Sequence, residues 1–243
     1  MEKTNDFTEG KILPKLIGFA FPVLLALFLQ AMYGAVDLLV VGQFSSAAAV
    51  SAVSTGSQIQ QSVTTVITGI AMGITVLVGQ KIGEKHPHEA GMIIGSGIAM
   101  FAVIAVILTI LMTCGASSLS ALMQAPEEAF SETTAYIRIC SAGAFFIIAY
   151  NVLGSIFRGI GDSKMPLITV AIACVINIAG DLLFVAGFHW GAAGAAAATV
   201  LAQAVSVLLS FLIIRKRALP FTMKRTDLRF NLPVIGKILK LGC

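Results

Sequence analysis

Apolar residues run along this chain in long stretches, and the polar positions are gathered into short gaps between them. Crossing a bilayer as a helix takes about 20 mostly apolar residues. Six stretches qualify: roughly 16–41, 51–78, 92–114, 134–157, 166–187 and 192–214. The gaps are the charged or turn-rich segments 79–89, 117–132 and 158–164, with tight connections at 42–47 and 188–191. The pattern predicts an all-α integral membrane protein built as a six-helix bundle.

Composition agrees with that reading. Of 243 residues, 57% are hydrophobic and 12% charged, and mean hydropathy is +0.93. Soluble domains carry about 25% charged residues, so this chain has too few polar groups to cover a water-facing surface. Residues 1–13 are polar and the first apolar run is too long for a signal-peptide core, so it reads as an uncleaved anchor. Cys114, Cys140, Cys174 and Cys243 show no metal-ligand or CxxC spacing and read as small core hydrophobes.

The sixteen Lys and Arg residues set an orientation. Lys3, Lys11 and Lys15 precede the first span, Lys81 and Lys85 join spans two and three, and Arg158 and Lys164 join spans four and five. Eight more follow the sixth span, from Arg215 to Lys240. All of these fall on one side of a six-span arrangement, and only Arg138 falls on the other, together with Glu127, Glu128 and Glu132. Both termini are therefore expected on the cytoplasmic side of a multi-pass cell-membrane protein. Basic residues beside spans give no sign of a nucleic-acid partner.

The end of the chain repeats its beginning. Gly10-Lys11-Ile12-Leu13, then Lys15-Leu16 and Gly18, lead into the first span, and Gly236-Lys237-Ile238-Leu239-Lys240-Leu241-Gly242 reappears where a seventh would start. Parallel repeats are a common way to build transporters. The expected division is a six-helix lobe over 1–230 and the start of a second lobe over 231–243.

Asp37 and Asp181 lie inside the first and fifth apolar stretches. A carboxylate at a bilayer-spanning helix centre costs roughly 2.5–3.5 kcal/mol on insertion scales, so such an acid is expected to face protein. Both spans run the same way, and at 1.5 Å per residue the two acids share nearly one depth, in the outer half of the bilayer. Asn177 is one turn before Asp181 on the same face, and Thr199 descends on the sixth span to a similar level. If spans one, five and six are neighbours, the four can cluster. A desolvated pair of acids can take up a proton as a unit. Alternatively, carboxylate, amide and hydroxyl oxygens form a hard-oxygen shell for an alkali cation such as Na+. The plain alternative is that each acid only crosslinks helices.

Ser51, Thr55, Gln58, Ser62 and Thr65 are spaced alternately four and three, a single face of the second span. That stripe either lines a water-filled cavity or knits helices together. Gln30 and Tyr33 share a similar face with Asp37, which favours a cavity. Pro22 removes a backbone hydrogen bond inside the first span and should bend it. Pro166 fits the first turn of the fifth span, and the Gly/Ala-rich run 191–198 permits close helix packing. Gly159-Ile160-Gly161 lacks the strand and Lys-Ser of a phosphate cradle. His86, His88 and His189 read as solvated loop residues.

Several of these segments together resemble the multidrug and toxic compound extrusion (MATE) transporters. They are Pro22 to Gln43 with Val36-Asp37 and Val40-Val41-Gly42-Gln43, Gly79-Gln80-Lys81-Ile82-Gly83, and Arg158-Gly159-Ile160-Gly161-Asp162-Ser163-Lys164-Met165-Pro166. Asn177-Ile178-Ala179-Gly180-Asp181 and the run 191–199 complete the set, in order along the chain. The resemblance implies one lobe of a two-lobed, twelve-helix exchanger that extrudes organic cations and drug-like compounds as sodium ions or protons enter. It implies that Asp37, Asn177, Asp181 and Thr199 form the coupling-ion site, with no other cofactor, and that Pro22 marks the bending point. The chain departs from that pattern in length, so the expected partners are a missing second lobe or a second copy, besides lipid and solute.

Two rivals stand against the exporter. A lipid-linked precursor flippase would need several cationic side chains for a pyrophosphate, whereas the spans hold acids and, among basic residues, only Arg138 near an edge. A non-transporting membrane scaffold is the other. An intramembrane enzyme is disfavoured, since no Ser–His, HExxH or paired-Asp protease arrangement appears.

Overall fold

The computed structural model describes residues 12–216, 221 and 227–242. Lys3, Gly10, Lys11, Arg217, Lys224, Arg225 and Cys243, used in the sequence reading, lie outside the described residues. Among the described residues the elements are helical, in the order α1 (Ile12–Phe44), α2 (Ala47–Gly83), α3 (Pro87–Cys114), α4 (Ala116–Leu122), α5 (Phe130–Ala142), α6 (Ala144–Gly159), α7 (Lys164–Asp181), α8 (Gly191–Lys216) and α9 (Leu232–Gly242). A 3-10 turn, Glu127–Ala129, precedes α5, and a π turn, Leu182–Gly187, extends α7.

Local chemistry sets the helix starts. The Ser46 side chain accepts from the Ala49 backbone N–H at 3.1 Å and caps α2. Pro87 opens α3, where its missing N–H costs nothing. Asp162 Oδ1 accepts from the backbone N–H groups of Lys164 and Met165, both at 3.1 Å, and so starts α7.

Five of these helices are long and apolar enough to span a membrane: α1, α2, α3, α7 with its π turn, and α8. The sequence reading gave a continuous fourth span over 134–157, and the structure corrects it. The span is made of α5 and α6, which meet at 56°. The break falls at Gly143, where a Cβ would overlap the Val200 side chain on α8, so the bend is set where α8 crosses. The fifth span also changes character, passing from α to π geometry just after Asp181.

α7 and α8 share the most extensive helix contact, α1 packs chiefly on α7, and α2 lies between α3, α5 and α6. One core cluster, including Ile74, Ile94, Phe101 and Ile148, fills the half of the bundle near the basic 79–89 and 158–164 connections. A second, including Val41, Val53, Val185 and Ala195, fills the opposite half. Outside, Leu24, Phe28, Val106, Ile110, Leu208 and Phe211 are exposed, as a surface meeting lipid requires. Cys140 and Cys174 are buried as expected, whereas Cys114 is exposed. α9 seats Ile235 and Ile238 against α2 and α3. α1 is held by a narrow seam: 17% of its most apolar window is buried, against 33–44% for the other spans.

Candidate functional site

Asp37 stands two turns before the end of α1, Asn177 and Asp181 occupy the last turns of α7, and Thr199 lies two turns into α8. The tight 188–190 connection makes α7 and α8 antiparallel, so the end of one faces the start of the other. Their approach is close. A Cβ on Gly180 would stand 2.9 Å from Ala198 Cβ, nearer than side chains pack. Glycine at this position therefore lets Asn177 and Asp181 reach across to α8.

The four residues meet. Thr199 Oγ1 donates to Asp37 Oδ2 at 3.4 Å, and Asn177 Nδ2 donates to Thr199 Oγ1 at 3.4 Å. The Asp37 and Asp181 carboxyl groups lie within hydrogen-bonding reach of one another. Exposure is 5% for Asp37, 1% for Asn177, 0% for Asp181 and 8% for Thr199, so neither acid faces lipid or water.

The hydrogen-bond accounting is lopsided. Asp37 Oδ1, Asn177 Oδ1 and both Asp181 carboxylate oxygens are buried with no donor. Buried oxygens nearly always find one. Two carboxylates side by side in a dry interior also repel unless positive charge lies between them. The cluster thus gathers carboxylate, amide and hydroxyl oxygens that could share a proton between the acids or hold a hard monovalent cation.

The other sequence candidates divide. Tyr33 lies above Gln30 on α1, and the side chains of Gln30 and Gln203 are within hydrogen-bonding reach of its hydroxyl. On α2, Thr55 is half-buried, while Gln58, Ser62 and Thr65 are exposed and outside the acid cluster. Ser62 Oγ donates to the Gln58 carbonyl at 2.9 Å and Thr65 Oγ1 to the Gln61 carbonyl at 2.8 Å, so neither ties helices together. The interhelical bonds of α2 come from Thr68 to Asn151 Oδ1 at 3.4 Å and Thr75 to the Ser155 carbonyl at 2.8 Å. Pro22 lies inside α1, which continues through it.

One residue escaped the sequence reading and another was misplaced. Gln203 is one turn beyond Thr199, and with Ser206 and Ser210 it forms a buried polar line along α8. The four-three-four spacing was a visible signal. Arg158, assigned from sequence to a loop, instead belongs to the last turn of α6 and is half-buried.

The chain and its fold have counterparts among known proteins. The MatE family model matches residues 22–183. The probable multidrug resistance protein YpnP of Bacillus subtilis (strain 168) is 30% identical over 92% of this chain and 50% of its own length. The multidrug export protein MepA of Staphylococcus saprophyticus is 24% identical over 99% of this chain and 53% of its own. An outward-facing multidrug resistance MATE family transporter of the MOP superfamily superposes with a TM-score of 0.90 at 24% identity, over 99% of this chain and 54% of that one. An inward-facing one gives 0.80 at 26% identity, over 88% and 48%. The chain spans about half the length of the curated relatives it matches. A six-span lobe with this helix order, matched across 22–183, makes the chain a member of the MATE family.

Proposed function

We propose that the chain is the first lobe of an ion-coupled exporter of organic cations and other drug-like compounds. It acts in the cytoplasmic membrane, with both termini cytoplasmic and its cleft completed by a second lobe or a second copy. The observation that carries this reading is the set of four buried, donorless oxygens where α1, α7 and α8 meet. A sodium ion or proton entering there would offset one of the pair's two charges, relieve their repulsion and hold α1 against α7 and α8. Its release would loosen that seam. A ligand moves such an equilibrium only by its differential affinity for the two states, and the acid cluster would supply one, since parting the three helices would take its oxygens away from one another. The multidrug resistance and export proteins among its relatives support the solute class.

The test uses the lobe joined to its second half in cells lacking their own efflux pumps. Asp37→Asn and Asp181→Asn should each abolish drug resistance while membrane insertion stays normal. In proteoliposomes, drug-stimulated movement of sodium or of protons identifies the coupling ion and separates an exporter from a scaffold. Undiminished efflux in both variants ends the proposal.

A further inference from the structure

A second polar site lies lower in the same seam. A cavity of about 50 Å³ opens between α1, α6 and α7, lined by Gln30, Tyr150, Asn151, Gly154, Arg158 and Thr169 among others. Gln30 is seven residues before Asp37 and Thr169 twelve before Asp181, which places the cavity about 10–18 Å from the acid cluster along the helix axes. It lies toward the basic end of the bundle.

Its chemistry is the inverse of the acid cluster's. No Asp or Glu is among its lining residues. Arg158 Nη2 donates to Ser155 Oγ at 2.9 Å, and no carboxylate pairs with the guanidinium among the described residues. Its guanidinium, with five N–H groups in all, lines the cavity wall. The Tyr150 hydroxyl is buried and has no hydrogen-bond partner, and Tyr150 as a whole is 9% exposed. Two other polar groups are occupied: the Asn151 amide donates to the Ile147 carbonyl at 2.7 Å, and the Thr169 hydroxyl to the Met165 and Pro166 carbonyls. An arginine at a helix end ordinarily extends to water. This one stays half-buried beside an unpartnered hydroxyl donor.

We infer that this cavity is an oxyanion subsite, in which Arg158 and Tyr150 take up a group that only accepts hydrogen bonds. A fork of guanidinium donors matches two oxygens of one carboxylate or phosphate. Size narrows the fit. One water needs about 10–15 Å³, so the cavity has room for a carboxylate or phosphate head and not for a whole drug-sized solute. The inference rests on the exporter reading and deepens it by naming where on this chain the acidic group of a solute would dock. The same chemistry can come from a phospholipid phosphate, and the test separates the two sources.

The probe is 2-naphthoate, compared with its neutral analogue 2-naphthamide, in equilibrium dialysis against the full chain in phosphatidylglycerol nanodiscs. Tightly retained phosphatidylglycerol is counted in parallel by native mass spectrometry. With solute as occupant, naphthoate binds saturably and the amide at least tenfold more weakly; Arg158→Gln costs tenfold or more and Tyr150→Phe about threefold. Tyr150→Phe keeps the packing and removes only the hydroxyl, so it reports even if Arg158→Gln assembles poorly. With lipid as occupant, naphthoate binding is the same in all three proteins and the variants lose about one retained lipid. Both signals unchanged in both variants overturns the subsite. The readout needs no ion gradient, so its failure leaves ion coupling untouched, and failure of coupling leaves this binding intact.

Discussion

Thr199 on α8 donates its hydroxyl to Asp37 on α1 across a separation of 162 residues, and the same oxygen accepts from Asn177 on α7. One small side chain therefore joins the three helices that enclose the acid cluster. Its substitution tests that joint. Thr199→Val keeps the shape, strips a donor from Asp37 and leaves the Asn177 amide without its acceptor. Orphaning a buried polar group costs about 1–3 kcal/mol, so the variant should melt at lower temperature and lose ion-driven efflux. Thr199→Ser should restore both. A Val variant with wild-type melting and efflux would show the hydroxyl to be incidental.

Asp181→Asn should act in the opposite direction on stability. The new amide brings two donors to a place where four oxygens lack any, and it removes one of two adjacent charges. The variant should melt above wild type in ion-free buffer while transport is lost. Wild type should be stabilised by its coupling ion, by about 2.7 kcal/mol at a concentration 100 times the dissociation constant, and the variant hardly at all. The single tryptophan is well placed to report this. Trp190 stacks on Phe184, with ring centroids 5.4 Å apart and 11° between the planes, just beyond the π turn that follows Asp181. Its fluorescence on sodium titration or pH change reads the site directly, and equal ion responses in the two proteins would remove the acids from ion binding.

The acid cluster was legible in the sequence because burying a charge in lipid is expensive and helical rise is regular. Asp37 and Asp181 could be set at one depth from residue counts alone, and the adjacency of α1, α7 and α8 supplied the rest. The bend between α5 and α6 was not legible: hydropathy continues smoothly through Gly143, and the close approach of Val200 that marks the break is a tertiary contact. Arg158 was misplaced for a related reason. A charge at the end of an apolar run looks like a loop residue, and nothing local shows that α1 and α7 wall it in. The α2 stripe shows the limit of periodicity, which finds a polar face but not what it faces.

Gly180 is where helix spacing and ion chemistry meet. With a Cβ only 2.9 Å from Ala198 Cβ, Gly180→Ala must push α7 and α8 apart by a few tenths of an ångström, and Gly180→Val by more. The Asn177–Thr199 contact, already 3.4 Å long, should then open. Overpacking of this kind costs about 1–3 kcal/mol. Ion affinity should fall in the order Gly, Ala, Val, measured by the Trp190 response, although no ligand atom has been changed. Equal affinity across the series would mean that the cluster does not depend on the α7–α8 spacing.

Pro22 supplies the last prediction. Lacking an N–H, it cannot donate to the Gly18 carbonyl one turn earlier, and yet α1 continues through it. A helix with one bond missing bends there more easily, and α1 is also the span with the least buried surface to hold it straight. Pro22→Ala restores the bond and removes a residue that costs about 3 kcal/mol in a helix interior. The variant should therefore be at least as stable as wild type. If transport requires α1 to swing away from α7 when the cluster releases its ion, the stiffer helix should export more slowly while still binding the ion. Spin labels at Leu16 and Leu39 would measure the bend, with a broad distance distribution in wild type narrowing in the variant. A narrowed distribution with undiminished efflux would show that bending at Pro22 is no part of the transport cycle.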